Sequence, residues 1–272
     1  MPYQVEATMD TPMHIIYLID ASGSMDDPMP QSQKEQSQKD PKKRKIDKVS
    51  DLLEEIAKIM LKRSKKGATI SNRYKIALYA YGNVVTADTN NQFITIDKYV
   101  EQIPDFGDLM QAQTNTKGAF EYAYQLLTNT LPSMNRCPAP LVCHLTDGEY
   151  TKSFGDPTPV VRQIMNLHNP DGNVLVQNIY ISEKSLFTTP ILDAKQWEGI
   201  QSPNELQSEY AKALLGMSSP LPETYAKELQ REGYRFRAGS PMLFPSSSVE
   251  MLRLAFMTSG STPRGVKELP SG

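Results

Sequence analysis

At 272 residues the chain is long enough to bury a substantial core, in one embellished domain or in two small ones. A hydrophobic content of 39% and a formal charge of -2, from 29 Lys and Arg against 31 Asp and Glu, leave out basic nucleic-acid binders and acidic-tail proteins. No apolar run reaches the roughly 20 residues of a membrane span, and residues 1–12 lack a basic segment followed by an apolar core, so a cytoplasmic protein without a membrane partner is expected. Cys137 and Cys143 are too few for a disulfide framework and read as buried or idle free thiols in a reducing compartment.

In chain order, the first strong signal is an uninterrupted apolar run, Ile15 to Ile19, that stops at Asp20 and is followed by Ser22 and Ser24, with Gly23 between them. Continuous branched aliphatics mark a strand buried on both faces, as in a parallel α/β sheet, and such sheets bind ligands beyond the carboxyl ends of their strands. Residues 26–45 then form a polar stretch with almost no apolar residue, expected to be a flexible loop insertion. Its end, Pro41-Lys42-Lys43-Arg44-Lys45, also fits a basic nuclear-localisation pattern, a motif too common to move the protein to a nucleus.

Ile46 to Arg63 is predicted to be an amphipathic helix, with Ile46, Val49, Leu52, Leu53, Ile56, Ile59 and Met60 on one face. Lys62, Arg63, Lys65 and Lys66 suit the negative end of its dipole, and Gly67 supplies a stop. Arg73 to Gly82 reads as a second strand, whose Tyr74, Tyr79 and Tyr81 are expected to pack, and Gln92 to Asp97 as a short third one. The hydroxyl-rich loop Gln113-Thr114-Asn115-Thr116 opens a helix carrying Phe120, Ala123, Tyr124 and Leu127 inward and ending before Pro132.

Pro140 to Thr146 is another apolar run ending in a carboxylate, Asp147, followed by Gly148. Asp156-Pro157 starts a helix with Val160, Val161, Ile164 and Leu167 inward, and Asn173 to Ile181 is the next strand. From about 185 to 240 a helical insertion is expected. There Ser202-Pro203-Asn204-Glu205 resembles a capping box before Leu206 and Tyr210, and Pro222 to Gly233 is a second helix, the two replacing one crossover helix. Trp197 reads as a packing anchor. Met242 to Pro245 makes a last strand, Ser247 and Ser248 open a closing helix through Met257, and the tail from Ser259 is expected to fray. The βαβ alternation predicts an α/β fold, a doubly wound, mainly parallel, Rossmann-like sheet with helices on both faces.

Two strand-end carboxylates, two serine hydroxyls and a threonine loop, with no His or Cys among them, make a hard oxygen set suited to magnesium, with manganese or calcium as alternatives and zinc the poorer fit. Asp20-Ala21-Ser22-Gly23-Ser24-Met25, then Thr114-Asn115-Thr116 before a helix, then Leu145-Thr146-Asp147-Gly148, resembles the von Willebrand factor type A (VWA) domain with a complete metal-ion-dependent adhesion site (MIDAS). The resemblance runs from about Met13 to Ser259 and implies a single VWA domain over 1–272, with the ion held directly or through water by Asp20, Ser22, Ser24, Thr114 and Asp147. A partner's Asp or Glu carboxylate completes the coordination in that family. The chain departs from it in the long polar insertion after the serines and in Gln111-Ala112-Gln113, where glycines often stand.

What the resemblance implies is a metal-dependent protein–protein interaction module, similar to stand-alone bacterial cytoplasmic members that serve as adaptors. Their settings are AAA+ ATPases, or kinases and phosphatases, in stress or conflict systems. Two other readings stand beside it. A metal-independent scaffold would use the helical insertion. A hydrolase or phosphotransferase would need a second Asp where Ser22 stands, a Gly-x-Ser-x-Gly elbow or a well-placed histidine. His14 and His144 fall inside strands and His168 follows a helix, so no catalytic residue is expected.

Overall fold

The computed structural model describes residues 2–29, 43–66, 69–181, 187, 191–246 and 248–261. Most of the polar insertion, Gly67, the start of the helical insertion, Ser247 and the end of the tail lie outside them. In chain order the main strands are β1 (Met13–Asp20), β2 (Tyr74–Tyr81), β3 (Val85–Ala87), β4 (Ile94–Thr95), β5 (Leu141–Thr146), β6 (Leu175–Ile181) and β7 (Leu243–Ser246). The helices are α1 (Lys45–Arg63), α2 (Ile96–Glu101), α3 (Thr116–Thr130), α4 (Thr158–Asn166), α5 (Glu209–Gly216), α6 (Glu223–Arg231) and α7 (Val249–Ser259).

Every residue of β1 is buried, which is the physical reason for its unbroken apolar run. It lies between β5 and β2, in the order β7-β6-β5-β1-β2-β3, with β4 also paired to β2. The contacts among β7, β6, β5, β1 and β2 are parallel, whereas β3 and β4 run antiparallel to β2. The chain first winds outward from β1 to β2, then returns to the other side of β1 and winds through β5, β6 and β7. The boundary between β1 and β5 is thus the switch point of the fold, where adjacent crossovers diverge and leave a crevice at the strand ends.

Alternation along β1 divides the core. Ile15, Tyr17 and Ile19 face a layer built by α1, α2, α6 and α7, and Ile16 and Leu18 face one built by α3, α4 and α5. Helix α1 buries Ile46, Val49, Leu52, Leu53, Ile56 and Met60 on one side, each worth about 1.5–3 kcal/mol relative to exposure. The tyrosines of β2 are buried in the strand as expected, and Trp197 packs on Phe236 at 5.1 Å and Phe244 at 6.0 Å between ring centroids.

Several local expectations are corrected. The short third strand is only Ile94–Thr95, and Ile96 and Asp97 already belong to α2; Val85–Ala87 supplies the other antiparallel partner of β2. The capping box at Ser202 is formed, but it closes a single turn, Pro203–Glu205, and α5 begins later under the cap of Ser208. The strand expected from Asn173 starts at Leu175, because Gly172–Asn173 pairs with His168–Asn169 in a small hairpin. The helices of the insertion do not act as one crossover pair: Tyr210, Ala211 and Leu214 of α5 enter one layer and Tyr225, Ala226 and Leu229 of α6 the other. Among the described residues no helix is long and apolar enough to cross a membrane.

Candidate metal centre

The carboxyl ends of β1 and β5 meet at the switch point, and the chain there is tied into a compact set of oxygens. Asp20 closes β1 and is wholly buried; its Oδ1 accepts from the Ser22 N–H at 2.8 Å and its Oδ2 from the Thr146 hydroxyl at 2.6 Å. The Asp-to-Ser turn thus brings the chain back over the strand end, a common use of an Asp side chain before a turn. A single 3-10 turn, Gly23–Asp26, follows and carries Ser24. Ser22 Oγ and Ser24 Oγ lie 3.3 Å apart, and the exposed Ser24 donates to Asp147 Oδ1 at 2.6 Å.

Asp147 sits one residue past β5 with its side chain fully buried. The Lys45 ammonium, on the first residue of α1, donates to its other oxygen at 2.8 Å and to the Ser24 carbonyl at 3.2 Å. Asp20, Ser22, Ser24 and Asp147 therefore form one connected cluster. Thr114 is brought to the same edge through its backbone: Gln111 N–H donates to the Ala21 carbonyl at 2.7 Å, and Thr114 exchanges bonds with Thr151 at 3.0 and 3.1 Å. Helix α3 starts just beyond, capped by Asn115, and directs its positive end toward this edge.

Thr146 and Lys45 are the two members that sequence reasoning missed. Thr146 was visible only as the residue between an apolar run and Asp147. Lys45 stood in a basic run that looked solvated, and only the docking of α1 turns it inward, to 4% exposure.

The electrostatics favour a cation. Burial drives the Asp20 carboxyl from its ordinary 3.8 up to about 7, and the nearby Asp147 pushes the same way; the bonds from Thr146 and Ser22 only partly offset this. Both of those donors are neutral, so a fully buried carboxylate is left short of positive charge, and a divalent ion would supply it. The donors are carboxylates and hydroxyls, the set preferred by magnesium, manganese and calcium. Among the described residues no three His, Cys, Asp or Glu side chains converge, so any such ion relies on the hydroxyls as well.

Among the described residues no histidine is hydrogen-bonded to Asp20, Ser22, Ser24, Thr114 or Asp147. The Asn178 amide donates to the Met217 carbonyl at 2.9 Å, which turns its oxygen toward His144 Nδ1 at 2.8 Å and leaves Nε2 to accept from the Tyr81 hydroxyl at 2.7 Å. Burial lowers the His144 pKa to about 4, so the ring is neutral. His14 lies near the amino end of β1, opposite Asp20, and His168 is exposed in the small hairpin. Both cysteines are free and buried, and burial pushes both thiols up.

Fold and site together define a doubly wound α/β protein with an oxygen-donor centre at its switch point. No protein-family model and no curated protein matches the sequence. Among solved structures, the PilB minor pilin from Streptococcus sanguinis is similar at 11% identity and a TM-score of 0.54, over 92% of this chain and 60% of that one. A point mutant of that pilin gives 0.51 at 11% identity, over 92% and 61% of the two chains. This chain thus spans about three fifths of the pilins it matches, and at such identity the likeness shows the fold alone. A structure of von Willebrand factor type A from Catenulispora acidiphila also superposes, at 13% identity and a TM-score of 0.49, over 93% of this chain and 43% of that one.

Proposed function

We propose that the chain is a VWA-type interaction module that takes a divalent cation, magnesium first, at Asp20, Ser22, Ser24, Thr114 and Asp147 and uses it to bind an Asp or Glu carboxylate of a partner protein. The observation that carries this reading is the wholly buried Asp20 carboxylate, raised to about 7, inside a cluster of hydroxyls that opens to solvent at Ser24. When bound, the ion would supply a Lewis-acidic positive charge with an exchangeable position for an anionic oxygen.

The chain's own residues do the rest. Ser22 and Thr146 orient Asp20, so that its two oxygens are fixed before any ion arrives. Ser24 ties the β1 turn to Asp147 by its hydroxyl. Helix α3 begins beside Thr114, and the partial charge of its amino end adds to the attraction for a partner's carboxylate. Binding without chemistry on the partner is the proposed activity, since both His144 nitrogens are already committed to Tyr81 and Asn178. An adaptor role in an assembly built on an AAA+ ATPase, or on a kinase or phosphatase, inside the cytoplasm is the setting we propose.

The test is Mn2+ titration of the wild type, Asp20→Ala and Ser22→Ala, followed by partner capture with magnesium and with EDTA. Saturable uptake lost in both variants, with partners retained only by the wild type in magnesium, is expected. Equal retention with EDTA and by Asp20→Ala would overturn the metal bridge.

A further inference from the structure

The first turn of α1 sets a fixed positive charge inside the donor cluster. Lys45 is almost fully buried, and lysines are seldom buried unless paired. Its ammonium holds Asp147 Oδ2 at 2.8 Å while Ser24 Oγ caps the other oxygen at 2.6 Å, with the exposed Asp27 at 3.7 Å on the rim. Both oxygens of a carboxylate implied in metal binding are therefore already engaged.

The position of Lys45 is set by backbone. Its N–H donates to the Asp27 carbonyl at 2.9 Å and Met29 N–H to the Lys43 carbonyl at 2.9 Å. Arg44 pairs with Asp26 at 2.9 Å and with Asp47 at 2.7 Å. The two described ends of the polar insertion are thus stitched together, and the stitch delivers the lysine to Asp147.

We propose that Lys45 is a resident cation of the site: it holds the metal-free cluster together and, by competing for Asp147, weakens the site's hold on a divalent ion. This rests on the metal reading above. Two physical effects of opposite sign follow from one ammonium. Without the ion, removing Lys45 leaves Asp147 as a buried charge lacking its partner, which destabilises the fold. With the ion, the same ammonium is a like charge in poorly screened surroundings and opposes it. The retained charge also leaves the loaded site more positive toward a carboxylate. Lys45 is in this sense a positioning residue for Asp147 and a brake on metal affinity.

The test uses the full chain as wild type, Lys45→Met, Lys45→Arg and Asp20→Asn, with Mn2+ affinity from calorimetry and melting temperature in EDTA and in saturating magnesium. Lys45→Met is expected to bind Mn2+ about tenfold tighter, yet to melt lower in EDTA, with the deficit shrinking in magnesium; Lys45→Arg should stay near the wild type in both. Unchanged Mn2+ affinity in Lys45→Met, with an equal melting deficit in both conditions, makes Lys45 an ordinary buried ion pair and overturns the inference. If the wild type takes up no Mn2+, or Asp20→Asn takes it up equally, the metal reading fails and this inference with it. Should Lys45→Met not fold, Lys45→Gln keeps a donor to Asp147 without the charge and carries the same comparison.

Discussion

Replacing Asp20 with Asn should stabilise the metal-free protein at alkaline pH while abolishing its response to magnesium. The carboxyl is wholly buried and raised from 3.8 to about 7. The folded protein therefore keeps a proton that the unfolded chain releases between those values, so the contribution of Asp20 to stability is greatest at low pH and is lost as pH rises toward about 7. A gap of about three pH units corresponds to at most about 4 kcal/mol. Asn keeps the shape: its oxygen can accept from the Ser22 N–H, and its amide can donate to Thr146, whose hydroxyl then donates to the Gly148 carbonyl at 3.0 Å.

Denaturant unfolding of both proteins in EDTA from pH 4 to pH 8 measures the effect. Their stabilities should agree near pH 4, and Asp20→Asn should lead by up to about 4 kcal/mol at pH 8, a rise in melting temperature of roughly 2–4 °C per kcal/mol for a chain of this size. Magnesium at a hundred times its dissociation constant then adds about 2.7 kcal/mol to the wild type alone. A variant that is less stable at pH 8 in EDTA, or a difference that does not change with pH, would refute the view of Asp20 as a buried charge awaiting a cation.

Other changes probe the surroundings. A Cβ at Gly82 would stand 2.4 Å from Gln111 Cβ, so Gly82→Ala should displace the loop that docks Thr114 and lower Mn2+ affinity several-fold without altering a donor, as calorimetry would show. His144→Phe strands the Asn178 oxygen and leaves the Tyr81 hydroxyl only its longer bond to the Leu145 carbonyl at 3.4 Å, and should cost about 2–4 kcal/mol at pH 8 by denaturant unfolding. Because the folded His144 pKa lies near 4, below the ordinary 6.5, its share of stability is full above 6.5 and is lost as pH falls through about 4, so this deficit should narrow in acid. Phe236→Ala should cost about 3–5 kcal/mol and red-shift the emission of Trp197, the sole tryptophan, whose ring lies 5.1 Å from Phe236.

Much of the sheet was legible because a strand buried on both faces has no polar face to interrupt its pattern. The runs ending at Asp20 and Asp147 located β1 and β5 almost to the residue, and the 3.6-residue spacing from Ile46 to Met60 located α1. Short elements were less visible. Residues 94–97 alternate well enough for a strand, yet Ile96 turns inward at the start of α2, since two residues of pairing to β2 already satisfy the edge. The capping box at Ser202 encodes a turn of helix but says nothing of how far the helix continues.

By itself the sequence determined the doubly wound fold class and the place of Asp20 and Asp147 at strand ends, because both are properties of local pattern: burial dictates apolar runs, and the residues that end them stand at the strand tips. Only the tertiary structure decided what charges surround those tips. Thr146 reaches Asp20 because β5 lies directly beside β1, and Lys45 reaches Asp147 because α1 packs against the same face. The helices of the insertion part to opposite layers for the same reason, that their apolar stripes match different sides of the sheet. Which neighbours a buried charge has depends on contacts between residues more than a hundred positions apart, and such contacts leave no periodicity in the chain.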